Sequence, residues 1–264
     1  MNISREFLSE RPLSFSSLKH FIVSPRHYVR YITAPKKTTE AMLLGSVIHC
    51  MILTPDEFDK KYIIEPELDK RTKVGKEDYA NFLQKIEGKG LEPISTGLFV
   101  TAKEITTQFM YASGYKFVKD SGNREEKFLK RHSSGLDVSG YIDALSDDYV
   151  VELKTVQSCA QEDVMRSFHK MMYPLQAAIY HWVTGKRVLY ITLETNPPYL
   201  SRVFIASDDY LAYGTKIFNK AMLDFNFCLD MGMFDCGYEF YGGDEPLLLD
   251  LPGWAKKGGD DEND

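Results

Sequence analysis

Two carboxylates and a lysine stand together in the stretch Tyr141-Ile-Asp143-Ala-Leu-Ser-Asp-Asp-Tyr-Val-Val-Glu152-Leu-Lys154. Apolar runs flank Asp147-Asp148, which predicts a tight hairpin. A two-residue loop at 147–148 pairs Ser146 with Tyr149, and a four-residue loop keeps the same register. Asp143 then falls opposite Glu152, on one face and with Cβ atoms about 4.5–5.5 Å apart. Lys154 lies two residues beyond Glu152 and shares that face. Leu153 points the other way, into the core, with its carbonyl at the strand edge. Neighbouring carboxylates repel, and a hard divalent cation such as Mg²⁺ or Mn²⁺ removes the conflict. Deleting either one should therefore leave the cation-free fold no less stable. The adjacent ammonium suits orienting an attacking water or stabilising a phosphorane-like transition state. An exposed hairpin with Glu–Lys pairs on its wet face fits the same spacing, and the pattern alone leaves both open.

Other elements must bring further groups to such a hairpin. Ser14 opens a capped helix, SFSSLKHFIVS, which Ser24-Pro25 interrupts before a basic, aromatic turn, RHYVRYI. TTEAMLLGSVIHCMIL reads as a buried helix capped by Thr38 or Thr39; its Gly45 and His49 share one face at i, i+4, the glycine leaving room beside the imidazole. One amphipathic helix is expected in GKEDYANFLQKIEGKG and another in TAKEITTQFMYASG. The period then changes to that of strands over EEKFLKRH, GLDVSGYIDALS and YVVELKT. A helix in SCAQEDVMRSFHKMM precedes one that begins at Pro174 and stops at Gly185. RVLYITLE and SRVFIAS are strands around the turn NPPYL. The last helix, from Ser207, should bury Tyr210, Tyr213, Ile217, Ala221, Phe225 and Cys228, with loop and acidic tail after about 234.

Asp143 followed by Glu152-x-Lys154 at the end of a hydrophobic β-run resembles the signature of the PD-(D/E)xK nucleases. Gly45-x-x-x-His49 upstream, Gln176-x-x-x-Tyr180 downstream and the opening Ser14-Phe-Ser-Ser17-Leu18 with Ser24-Pro25 resemble the further motifs of the RecB-like branch. Their order and the helical front resemble most the exonuclease VIII (RecE-type) prophage recombination exonucleases, over about residues 14–230. Gly140-Tyr-Ile-Asp143 stands where the family carries a proline. The resemblance implies an α/β fold: a PD-(D/E)xK core, a central mixed β-sheet flanked by helices, with N-terminal helical additions. It implies Asp143, Glu152 and the Leu153 carbonyl as metal ligands, for Mg²⁺ with Mn²⁺ substituting, His49 as a further ligand or as a group that orients the second-metal water, and Lys154 positioning the nucleophilic water. Gln176 and Tyr180 would line the site and touch the DNA backbone or orient Lys154. It also implies a 5′→3′ exonuclease on double-stranded DNA ends that leaves 3′ single strands, a homo-oligomeric ring, and a single-strand annealing partner. Another polarity, a structure-selective or sequence-specific endonuclease, or a non-catalytic DNA-binding module remain alternatives. His49 also fits a core histidine, and Gln176 with Tyr180 a plain buried polar pair.

Composition sets outer limits. At 264 residues, 44% hydrophobic and 27% charged, the chain is globular and is read as a single domain over 1–250 with a flexible acidic tail over 251–264. Its net charge of −6 does not advertise a nucleic-acid binder, yet residues 1–40 are locally basic. Lys19, Arg26 and Arg30 fit a phosphate-gripping patch or a solvated face. Tyr28 and Tyr31 are spaced to stack on DNA, whereas Lys36 and Lys37 read as solvated. His20, His27, His132, His169 and His181 show no ligand spacing. Cys50, Cys159, Cys228 and Cys236 form no CxxC pair, which predicts no zinc ribbon or disulfide framework, and they lack the tight downstream trio of the iron–sulfur members of the nuclease superfamily that the chain resembles, so no such cluster is expected. No apolar stretch reaches the roughly 18 residues of a membrane span, and a cytoplasmic protein is expected.

Overall fold

A computed structural model of the chain describes residues 3–242 and 249–250. The chain opens with helices α1 (Arg5–Glu10), α2 (Phe15–Val23), α3 (Pro25–Thr33) and α4 (Glu40–Leu53). α5 (Phe58–Lys61), β1 (Tyr62–Ile64), α6 (Lys73–Ile86), β2 (Glu92–Ile94), α7 (Thr96–Tyr111) and α8 (Lys116–Lys119) follow. Strands β3 (Asn123–Arg131), β4 (Asp137–Leu145) and β5 (Tyr149–Val156) come next, then α9 (Gln161–Lys170), α10 (Tyr173–Thr184), β6 (Arg187–Glu194), β7 (Ser201–Ile205), α11 (Asp208–Met231) and α12 (Glu239–Gly242).

The boundaries follow local chemistry. Ser14 and Ser17 form a reciprocal capping box at the start of α2. The buried Ser24 caps α3, whose first position is Pro25. Thr39 caps α4. α7 begins at Thr96 under the cap of Ser95, five residues ahead of the segment expected from its apolar spacing.

The main sheet has the order β3-β4-β5-β6-β7, and every pairing is antiparallel except β5 with β6. It separates two cores. One, with Val150, Val188 and Tyr190, is closed by α2, α10 and α11; the other, with Val151, Leu153 and Ile191, is closed by α4 and α7. Alternate strand residues feed opposite cores, as the period of two requires. α10 and α11 cross closely at Gly214, where a Cβ would lie 1.9 Å from the Pro174 carbonyl oxygen.

The structure corrects several expectations. The buried stripe of α11 starts at Gly214 and Phe218, and Tyr213 is 45% exposed. Tyr62–Ile64 and Glu92–Ile94 form a parallel two-stranded ribbon where no strand is expected from the sequence. The tail over 251–264 lies outside the described residues.

Candidate active site

The β4–β5 hairpin keeps the expected register, but its ladder holds only Leu145–Val150 and Ala144–Val151. One step further, where Asp143 faces Glu152, the two strands have parted. The Asp143 carboxylate fills the opening: its Oδ2 accepts the Leu153 N–H at 2.7 Å. Since N–H and C=O of a residue in an extended strand point to the same side, the Leu153 carbonyl is also directed toward the parting rather than toward β6.

A second irregularity lies on the other side of Asp143. β3 pairs with β4 through Arg124–Ala144 and Glu126–Ile142, and the intervening step, Glu125 against Asp143, is missing. Glu125 sits at φ 52°, in the left-handed region that a glutamate adopts only at a cost. β4 changes phase at this point. Ile142 and Leu145 pack in one core while Ala144 packs in the other. A regular pleat cannot produce that sequence of faces.

The distortion gathers donors from both layers. From α4, the His49 Nδ1 lies 3.6 Å from the Asp143 Oδ1, and the His49 side chain is 26% exposed. Ligand atoms of His49, Glu125 and Asp143 lie within 4.8 Å of one another. Glu152 lies outside this tightest group, and its oxygens are engaged by neighbouring side chains. Its Oε1 accepts from the Lys154 Nζ at 2.5 Å and from the Gln176 Nε2 at 2.8 Å. Its Oε2 accepts from the Tyr180 hydroxyl at 2.9 Å. That hydroxyl also lies 2.8 Å from the Tyr141 carbonyl and accepts from Gln176 at 3.0 Å. Its single proton serves Glu152 or Tyr141 at any moment. The Lys154 ammonium rests over the Tyr173 ring, 4.5 Å from its centroid.

The electrostatics follow from this packing. Burial opposes charge on His49, but the field and hydrogen bond of Asp143 outweigh it, and the imidazole pKa rises. Burial also works against ionised Asp143, yet His49 and then Lys154 hold its carboxyl below the usual range. Burial and then the Asp143 charge push Glu152 upward. Burial disfavours the Lys154 ammonium, and Glu152 overcomes that penalty, so its pKa is raised. The carboxyl of Glu125 is raised by burial and by Asp143. The site thus holds more acceptor charge than it can neutralise. A nitrogen and several carboxylate oxygens converge there, a donor set that fits Mg²⁺ or Mn²⁺.

Residues 14–228 match the family described as "PDDEXK-like domain of unknown function (DUF3799)". The chain belongs to this family. No curated protein matches it. Among solved structures, a candidate exonuclease from Eubacterium rectale superposes with a TM-score of 0.61 at 15% identity, covering 97% of this chain and 96% of that one. At that identity the likeness concerns the fold. An alkaline exonuclease from Laribacter hongkongensis is a more remote match, with a TM-score of 0.31, 11% identity, and 62% and 87% of the two chains covered. The fold of this chain is therefore that of a PDDEXK-like nuclease, a mixed sheet flanked by helices.

Within this PDDEXK-like domain, Asp143, Glu152, Lys154, Gln176, Tyr180, His49 and the Leu153 backbone do come together. Gly45 adjoins Thr155 rather than clearing space for the imidazole: a Cβ there would sit 3.4 Å from the threonine hydroxyl. Gly140, in the stretch that departs from the family's proline, lies against the Phe128 ring, which an added Cβ would approach to 2.8 Å. Lys19 comes near Lys154; burial and then that neighbouring charge lower its pKa. Arg26 is tied to the loop after α11, donating from Nε to the Asp235 carbonyl at 2.7 Å. Tyr28 cannot stack on DNA, because it is 2% exposed and packed edge-on against Phe21 and Phe225. Glu125 and Tyr173 escape sequence reasoning. Glu125 carries a signal only after β3 is registered against β4, since it then faces Asp143.

Proposed function

We propose that this chain is a divalent-metal-dependent exodeoxyribonuclease acting on linear double-stranded DNA. One observation supports this reading above others. Where β4 parts from β5, His49, Glu125 and Asp143 converge beside the Glu152–Lys154 pair. A purely structural hairpin has no use for three acidic groups, two of them buried, around one opening.

His49, Asp143 and Glu125 would hold the cation, with Glu152 and the Leu153 carbonyl as further oxygen donors. When bound, the cation supplies Lewis acidity toward a phosphodiester oxygen and offsets the charge that develops there. Lys154 is held by Glu152 and by the face of Tyr173, so its ammonium is fixed before substrate arrives. In that position it orients a water for in-line attack on phosphorus and stabilises the developing negative charge. Gln176 and Tyr180 lock Glu152, which in turn aims Lys154. Lys19 adds a cation at the edge of the same opening, suited to a phosphate next to the scissile one.

The 5′→3′ direction, 3′ single-stranded products, a ring-shaped oligomer and an annealing partner belong to the proposal through the RecE-type resemblance. Linear duplexes labelled at the 5′ or the 3′ end, incubated with Mg²⁺ or with EDTA, test it. Early release of the 5′ label as small product, in Mg²⁺ only, is the expected result. Early release of the 3′ label would reverse the polarity, and cutting in EDTA would remove the metal from the account.

A further inference from the structure

A hollow of about 500 Å³ lies at the junction of α2, α3 and the segment that leads into α4. His20, His27, Arg30, Lys36 and Lys37 line it, and no carboxylate does. His27, Arg30 and Tyr31 come from one face of α3 at i, i+3 and i+4 spacing. The His20 ring stacks on Tyr31 with centroids 4.4 Å apart. Arg30, Lys36 and Lys37 make no ion pair among the described residues. Burial and then the nearby charges of Lys19 and His27 hold the His20 imidazole below its ordinary pKa. Three of these side chains, Arg30, Lys36 and Lys37, are cationic and solvent-facing, so the hollow presents a local positive field in an acidic chain and favours an entering anion.

The hollow also has a defined relation to the catalytic opening. Met42 lines both it and the hollow of about 560 Å³ that contains His49, Glu125 and Asp143. Met42 and His49 are seven residues apart on α4, or about 10 Å along the helix axis at 1.5 Å per residue. Sharing Met42 as a wall puts the two hollows within a few nucleotides of each other along a DNA strand.

We propose that the hollow formed by His20, His27, Arg30, Lys36 and Lys37 is an anion site that grips a DNA phosphate close to the scissile bond. This rests on the nuclease reading and extends it. The pocket chemistry fits either an internal phosphodiester or a terminal phosphate, since both present the same oxygens to a guanidinium and two ammonium groups.

The test is equilibrium binding of a short labelled duplex in EDTA, followed by anisotropy across a range of salt. Combining Arg30→Ala, Lys36→Ala and Lys37→Ala should weaken binding at least about tenfold. The slope of log affinity against log salt should also become shallower by about one for each phosphate no longer neutralised. A charge-matched control, Lys73→Ala, Lys76→Ala and Lys89→Ala, removes three lysines that line none of the hollows and should bind as wild type does. If one neutral methylphosphonate, moved singly through the positions flanking the cleaved bond, weakens wild type but not the triple variant, the site holds an internal phosphate. If removing the 5′ phosphate does so instead, it holds a terminal one. Should the triple variant bind with wild-type affinity and salt slope while wild type degrades DNA, the anion site is wrong and the nuclease reading stands. If wild type neither binds nor cuts DNA, both fall.

Discussion

At the level of single residues, the proposed site would divide labour between groups that hold a cation and a group that acts on the water. Lys154 cannot ligate a cation, so Lys154→Ala should lower kcat at least about 100-fold with DNA and Mn²⁺ binding retained. His49→Ala and Glu125→Ala should instead weaken Mn²⁺ binding, read by calorimetry on the same protein used for kinetics. Normal Mn²⁺ binding by His49→Ala would return His49 to the status of a core histidine. The carboxylate pair behaves differently from the simple repulsion expected from sequence. Glu152 is the partner of Lys154, whose side chain is only 16% exposed. Glu152→Ala therefore strands a buried ammonium and should destabilise the cation-free protein by on the order of 3 kcal/mol. Glu152→Gln keeps an acceptor for Lys154 and should lose much less, a difference that thermal unfolding resolves. The hairpin register and the sharing of one opening by Asp143 and Glu152 are legible in the sequence because turn position fixes pairing. Glu125 is not, because its relevance depends on a strand distortion that no local pattern announces.

At the scale of elements, two features position these side chains. The first is the kink where β3 meets Asp143. At an ordinary strand position glycine is worse than alanine, whereas at φ 52° the order inverts. Glu125→Gly should accordingly be about 1 kcal/mol more stable than Glu125→Ala, both variants lacking the carboxylate. The reverse order in urea unfolding would mean that the strand is regular in solution. The second feature is the packing of α11 on α10, the helix that carries Gln176 and Tyr180. Gly214→Ala places a methyl group against the Pro174 carbonyl and should cost about 1–3 kcal/mol. Because it shifts α10, it should also lower kcat without changing any group that touches substrate. Caps make α2, α3 and α4 readable from sequence. Here serine or threonine precedes an apolar period, and proline marks one start. The α11 stripe is misread only at Tyr213 and Gly214, because a glycine suited to close approach looks neutral in a hydrophobicity pattern while Tyr213 looks apolar and is half exposed; Tyr210 packs on the core as expected.

At the scale of the whole molecule, helices on both faces leave the parted edge of β4 and β5 as the place where the two layers meet. Hollows along the first half of α4 share Met42 on one side of His49 and Ala41 with Thr155 toward Tyr173 and Gln157. Such a run suits a strand laid across the domain with its scissile bond near Asp143. An enzyme that takes its substrate from an end should leave covalently closed circles intact while it consumes the same DNA once linearised, and light scattering should find an oligomer. Rapid loss of closed circles, or a monomer, would count against the end-dependent ring drawn from the RecE-type resemblance. Among the described residues no helix is long and apolar enough to cross a membrane. Fold class is readable from the order of helix, three antiparallel strands, helix and strand, while the small ribbon of β1 and β2 is hidden by its short strands. The central claim is that Asp143, at the parting of β4 and β5, serves phosphodiester hydrolysis through a divalent cation. The most direct measurement is release of acid-soluble nucleotide from uniformly labelled linear duplex, first in EDTA and then as Mg²⁺ is added in excess, for wild type and Asp143→Ala of matched thermal stability. Neither protein should release nucleotide in EDTA, and wild type alone should release it once Mg²⁺ is present. Equal release by the two proteins in Mg²⁺, or release by wild type in EDTA, would contradict that claim.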